Sequence, residues 1–121
     1  MNGLVWVFSA VLAVVFLTVG MMKAFRYEQA RQRLAWVGGL PRVVAQVLGI
    51  AEILGALGLI LPAAIGLYPW LTPVAAIALG VLMLSATVFH LLRREKDNAM
   101  VSGLLLVLLG IVTYLRWPLM P

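Results

Sequence analysis

From Ile53 to Leu92 the chain carries no acidic side chain, lysine or arginine, a run long enough for the end of one membrane span and the whole of another. A bilayer core about 30 Å thick needs roughly 20 apolar residues per helical crossing, because a helix rises about 1.5 Å per residue. Residues Met1 to Met22 form a second such run and Asn98 to Leu115 a third. Within the long run, Pro62, Gly66, Pro69 and Pro73 cluster, and proline ends helices while glycine permits a turn, so a tight loop is expected there. Tyr68 and Trp70 beside it suit an interfacial aromatic belt, and Tyr114, Arg116, Trp117 and Pro118 suit a membrane exit. The predicted fold is an all-α bundle of four transmembrane helices over about 3–22, 43–62, 71–92 and 99–116, in one membrane domain covering 1–121.

Composition agrees. Hydrophobic side chains make up 64% of the 121 residues, charged ones 11%, and the mean hydropathy is +1.11, which leaves too little polar surface to cover a soluble domain. The connection 23–42 differs from the spans: Arg26, Arg31 and Arg33 are interspersed with Phe25, Tyr27, Leu34 and Trp36, as in a short amphipathic segment lying at a membrane surface. Gly38, Gly39 and Pro41 are expected to break it before the second span.

Five of the nine lysines and arginines (Lys23, Arg26, Arg31, Arg33, Arg42) fall between spans one and two, three (Arg93, Arg94, Lys96) between spans three and four, and Arg116 lies on the other side. The positive-inside rule puts both basic loops in the cytoplasm and both termini outside it, as in a bacterial inner-membrane protein. No basic residue precedes the first hydrophobic segment, so it is expected to stay as a span instead of being cleaved as a signal peptide. The net charge of +5 reports this topology and not nucleic-acid binding.

The chain has no cysteine, which excludes disulfide relays, thiolate nucleophiles and cysteine metal sites within it. Its single histidine does not by itself build a haem or zinc site, and no dinucleotide or P-loop signature occurs. No complete catalytic constellation and no metal site are therefore assigned. Gly55 and Gly58 lie inside a span, where they favour close helix approach.

What remains is a small set of polar groups at costly positions. Glu52 lies ten residues after Arg42, about 15 Å at the helical rise, near the bilayer midplane. A carboxylate there costs at least ~2.5 kcal/mol and must be paired, hydrated or protonated. Gly49, Glu52 and Ala56 share one face, which the small residues mark as a helix-packing face. Two readings stay open for Glu52: a proton or ligand site, or an interhelical hydrogen bond or ion pair. His90 extends an inward stripe of Ala76, Gly80, Met83 and Thr87, where it serves as a tether between helices or as a proton relay or quinone-headgroup contact. Lys23 caps a stripe of Ser9, Ala13, Phe16 and Gly20, and either turns inward toward Glu52 or His90 or snorkels to headgroups. With span two starting at Arg42, Glu52 lies half a bilayer deeper than Lys23, so a direct pair requires a shifted second helix or intervening water. Lys23, Arg26, Glu52 and His90 are the candidate ligand or proton sites. Glu28, Glu95 and Asp97 read as solvated loop acids.

Several of these residues, in this order, resemble a known family. Gly20-x-x-Lys23-Ala-Phe, then Gly49-x-x-Glu52-x-x-Gly55-Ala-x-Gly58-Leu-Ile-Leu-Pro62, then Pro-Trp-Leu-Thr-Pro at 69–73, and His90 ending span three are together similar to the DoxX-like family over nearly the whole chain. The resemblance implies a compact four-helix membrane bundle, with Lys23, Glu52 and His90 at the family's recurrent polar positions. It also implies a partnership with membrane-associated redox systems, since one such member is a subunit of a thiosulfate:quinone oxidoreductase, while related eukaryotic proteins act as assembly chaperones. The leading expectation is a non-catalytic subunit or scaffold of a membrane-associated oxidoreductase, binding a quinone or lipid beside the polar cluster. The alternatives are a small proton-coupled transporter using Glu52, and a chaperone for another membrane protein. Small multidrug transporters, which carry such a glutamate in the first span, differ in its placement. The glycine and alanine stripes exceed the needs of one small bundle, which leaves a homodimer open alongside contact with membrane lipid.

Overall fold

The computed structural model describes residues 2–33 and 40–119. The elements are α1 (Asn2–Phe25), α2 (Tyr27–Arg33), α3 (Arg42–Ile65), α4 (Leu71–Leu92) and α5 (Lys96–Arg116), followed by a single 3-10 turn at Trp117–Leu119. The four long helices are long and apolar enough to cross a membrane, with the shortest having 21 residues, about 32 Å at the helical rise. No strand occurs among the described residues.

Helix boundaries extend three residues past those expected at three places, and α1 and α3 each start one residue early. α1 continues beyond Met22 through Lys23 to Phe25, α5 begins at Lys96, and α3 runs through Pro62 to Ile65. Pro62 is therefore a buried residue inside α3 and not part of the loop. Its missing N–H leaves the carbonyl one turn earlier, at Gly58, without its usual helical donor. The loop starts at Gly66, which ends α3 with a left-handed φ of 69°, a conformation that glycine adopts without Cβ strain. Tyr68, with φ 49°, completes the reversal. Pro73 sits in the first turn of α4, where an N–H has no helical acceptor anyway, so it starts the helix at no hydrogen-bond cost. Tyr68 and Trp70 are exposed here, their rings edge-to-face at 6.5 Å, as expected for an aromatic belt.

Of the amphipathic connection, Tyr27–Arg33 forms a short helix whose Ala30 packs into a small cluster with Ala45, Met22 and Tyr27. Tyr27 donates to the Leu40 carbonyl at 3.1 Å and lies under the Arg42 guanidinium. Pro41 precedes the first residue of α3, as the expected break requires. Leu34, Trp36, Gly38 and Gly39 lie outside the described residues, as do the side chains of Arg31 and Arg33.

The long helices form a closed ring in which α3 lies between α1 and α4, and α5 returns to α1. The tightest seams join α1 to α3 and α4 to α5, so the bundle is two antiparallel helix pairs laid together. Large apolar side chains point outward: Val14 is 63% exposed, Leu54 64%, Val81 60% and Leu104 61%, one from each long helix. That outward pattern suits lipid, where association rests on close packing and polar contacts and not on hydrophobic burial. Inside, Leu12, Phe16, Leu59, Leu79, Leu109 and Val112 interlock with Ala56, Ala76 and Met83.

The two pairs touch at the end carrying the proline-rich turn and separate at the end carrying the basic loops. At the turn end a methyl on Gly55 would lie 2.5 Å from Leu79, one on Gly58 2.7 Å from Ala75, and the Arg116 guanidinium stacks 4.6 Å from the Trp6 ring. At the basic end the pairs enclose a cavity of about 490 Å³.

Candidate functional site

Glycine sets the register between α1 and α3. A methyl on Gly49 would lie 2.5 Å from the Gly20 carbonyl oxygen and 2.6 Å from the Ala24 nitrogen, and one on Gly20 would lie 2.7 Å from the Gly49 carbonyl oxygen. The two backbones are thus in direct contact, which only residues without a side chain allow. In this antiparallel register Glu52 lies only about one helical turn, ~6 Å, further toward the turn end than Lys23. Side chains lean toward the N-terminus of their own helix, so Lys23 leans toward the turn end and Glu52 toward the basic end. They meet: Lys23 Nζ donates to Glu52 Oε1 at 2.6 Å, with the two side chains only 5% and 3% exposed.

The half-bilayer separation expected between Lys23 and Glu52 is therefore corrected. α3 does start at Arg42, but its first turn extends beyond the level where α1 ends, so counting depth from Arg42 overstates how far Glu52 lies below Lys23. The second helix is shifted in the sense that a direct pair demands, and Lys23 turns inward instead of snorkelling.

Between α4 and α5 the polar contacts are of two kinds. Thr87 and Ser102 share a hydrogen bond at 3.0 Å, while Thr87 also donates to the Met83 carbonyl. His90, buried to 3% exposure, has its Nδ1 2.8 Å from Glu95 Oε1. The turn that places Glu95 there closes through its backbone N–H donating to the His90 carbonyl at 2.8 Å, with Arg94 at a left-handed φ of 59°. Arg93 approaches the other Glu95 oxygen at 3.6 Å and stacks on Phe89.

Lys23, Glu52 and His90 all line the cavity, together with Asn98, Ser85 and Ser102 and an otherwise apolar wall that includes Phe16, Val19, Leu48, Met83, Phe89 and Leu105. Arg26 is not brought to it: this residue is exposed at the junction of α1 and α2 and does not line the cavity. Of the expected inward stripes, Ser9, Phe16, Gly20 and Lys23 of α1, Gly49, Glu52 and Ala56 of α3, and Ala76, Met83 and His90 of α4 are buried, while Ala13, Gly80 and Thr87 are half-buried. Glu95 is the residue that sequence reasoning missed as a site member. Its spacing of five from His90 across a helix end is a weak signal, visible only once the turn is known.

An apolar cavity with its polar groups on facing pairs of helices can seat an amphiphile, head beside the Lys23–Glu52 and His90–Glu95 pairs and tail along the apolar wall. The ion pair itself is a fixed internal dipole, and losing either partner would leave the other as an uncompensated buried charge.

No curated protein and no solved structure matches the chain in the corresponding comparisons. The sequence profile of the DoxX-like family matches residues 7–112, a segment holding Lys23, Glu52, His90, Glu95 and Ser102 and nearly all of the four spans, and the chain belongs to that family.

Proposed function

We propose that this transmembrane DoxX-like protein is a non-catalytic subunit or scaffold of a quinone-linked redox system, and that the cavity between its helix pairs holds a quinone or lipid. The observation that carries this reading is the 490 Å³ cavity, of the size common for small-molecule sites (about 300–1,000 Å³), apolar over most of its wall and polar at Lys23, Glu52 and His90. The absence of cysteine and the single histidine in the sequence support assigning electron transfer to a partner oxidoreductase. Purification in mild detergent should recover a redox partner or an extractable quinone. Repeated isolation of the protein alone and ligand-free, with no change in quinone-linked respiration on its deletion, would overturn the reading.

Proton-coupled transport through Glu52 draws less support, because Lys23 already supplies that carboxylate with a countercharge at 2.6 Å. The proposed orientation has the basic loops in the cytoplasm and both termini across a bacterial inner membrane. The cysteine-free sequence makes this directly testable with single-cysteine variants. A membrane-impermeant maleimide should label Tyr68→Cys in intact spheroplasts and Gln32→Cys only after lysis; the opposite pattern inverts the topology.

A further inference from the structure

We infer that the cavity selects amphiphiles with an uncharged hydroxyl or carbonyl head and rejects those with a phosphate or carboxylate head. The inference rests on the reading of the cavity as a ligand site and goes beyond it by naming the head chemistry.

Among the described residues, the charged side chains that line the cavity are already paired. α1 contributes Lys23 and α3 contributes Glu52, and the two neutralise each other at 2.6 Å. α4 contributes His90, whose Nδ1 is already held by the Glu95 carboxylate at 2.8 Å. α5 contributes Asn98 and Ser102, which are uncharged. Of the neighbouring cations, Arg93 is engaged with Glu95 and the Phe89 ring and Arg42 with the Tyr27 ring, while Arg26, Arg94 and Lys96 are exposed and do not line the cavity. A phosphate head would leave water for a wall whose lysine is already paired, and would face the Glu52 carboxylate.

An uncharged head meets a better match. The Asn98 carboxamide lines the cavity as both donor and acceptor, and its side chain has no hydrogen-bond partner among the described residues. An alcohol or a quinone carbonyl can bond to it without bringing a charge out of water.

The test uses the full chain in phosphatidylcholine nanodiscs, with adducts counted by native mass spectrometry for dodecanol, dodecyl phosphate and decylbenzoquinone. Dodecanol is expected to bind roughly 100-fold more tightly than dodecyl phosphate, the size of effect that an unpaired buried charge produces. Glu52→Gln leaves the Lys23 charge uncompensated and should shift the preference toward the phosphate, whereas Lys23→Gln/Glu52→Gln, neutral at both positions, should keep the wild-type preference and serves if the single variant fails to fold. Asn98→Leu should lower dodecanol affinity up to about tenfold, the value of one hydrogen bond. Equal binding of dodecanol and dodecyl phosphate to the wild type, or no binding of either, overturns the inference. Dodecanol binding without decylbenzoquinone binding upholds the rejection of charged heads but overturns the carbonyl part of the inference and, with it, the quinone assignment. Quinone binding without rejection of the phosphate does the reverse.

Discussion

The two ends of the bundle are built differently although the same four helices run through both. At the turn end the helix pairs meet through interlocked apolar side chains, with Leu79 filling the space that Gly55 leaves open and Leu12, Leu59, Leu109 and Val112 fully enclosed. At the basic end the pairs stand apart around a cavity, and each pair is held internally by polar contacts: Lys23–Glu52 in one, Thr87–Ser102 and His90–Glu95 in the other. In lipid there is no hydrophobic force between helices, so close packing and hydrogen bonding are the two available means of association. The protein uses packing where the pairs touch and polar contacts where they part, so the cavity at the basic end has polar groups on its wall, whereas the space between α3 and α4 at the turn end is lined by apolar residues and glycine.

That contrast can be broken most severely at the ion pair. Lys23→Met strands Glu52 in a buried site and should cost about 4 kcal/mol, while Lys23→Met/Glu52→Leu should recover most of it. Thermal unfolding in detergent reads both, and a single variant as stable as the wild type would mean that the pair contributes nothing. Next comes Gly49→Ala, whose methyl meets backbone atoms of α1 that cannot step aside. It should cost about 3 kcal/mol, against about 1 kcal/mol for Gly55→Ala, where a flexible leucine side chain can move. An inverted order would show that the turn end and not the α1/α3 seam is the rigid part. Glu95→Gln keeps the shape of the His90 contact and removes the charge, so it should cost about 1 kcal/mol in stability by the same measurement and leave the helical content unchanged. The smallest change is expected from Leu104→Ala, below about 0.5 kcal/mol, because that side chain faces lipid and meets little protein.

The sequence made the spans legible because their length and charge distribution are dictated by the bilayer, and the inward faces legible because small and polar residues recur at helical spacing on otherwise apolar helices. Gly49, Glu52 and Ala56 could be placed on one face without a structure, and so could the stripe ending in His90. The Lys23–Glu52 contact could not be settled, because depth counted from Arg42 ignores how far one helix overhangs the next, and that overhang is fixed by the backbone contact of Gly20 with Gly49. The second span runs three residues past Pro62 because a proline signals a helix end only where the freed carbonyl has to be satisfied by leaving the helix, and a buried position late in α3 tolerates it. Glu95 escaped notice because its role depends on a turn, and turns hold the least periodic information in a membrane chain.

The leaning of Lys23 and Glu52 toward each other bears on how the chain enters its membrane. Alone, α3 would carry the Glu52 carboxylate into hydrocarbon, a penalty of up to about 2.5–3.5 kcal/mol on insertion scales, whereas Lys23, two residues from the end of α1, would reach toward the headgroups. Joined as a hairpin, they cancel before either is fully immersed. The first two spans are therefore expected to enter the membrane together as a hairpin, with the glycines that let their backbones touch bringing the two charges within reach.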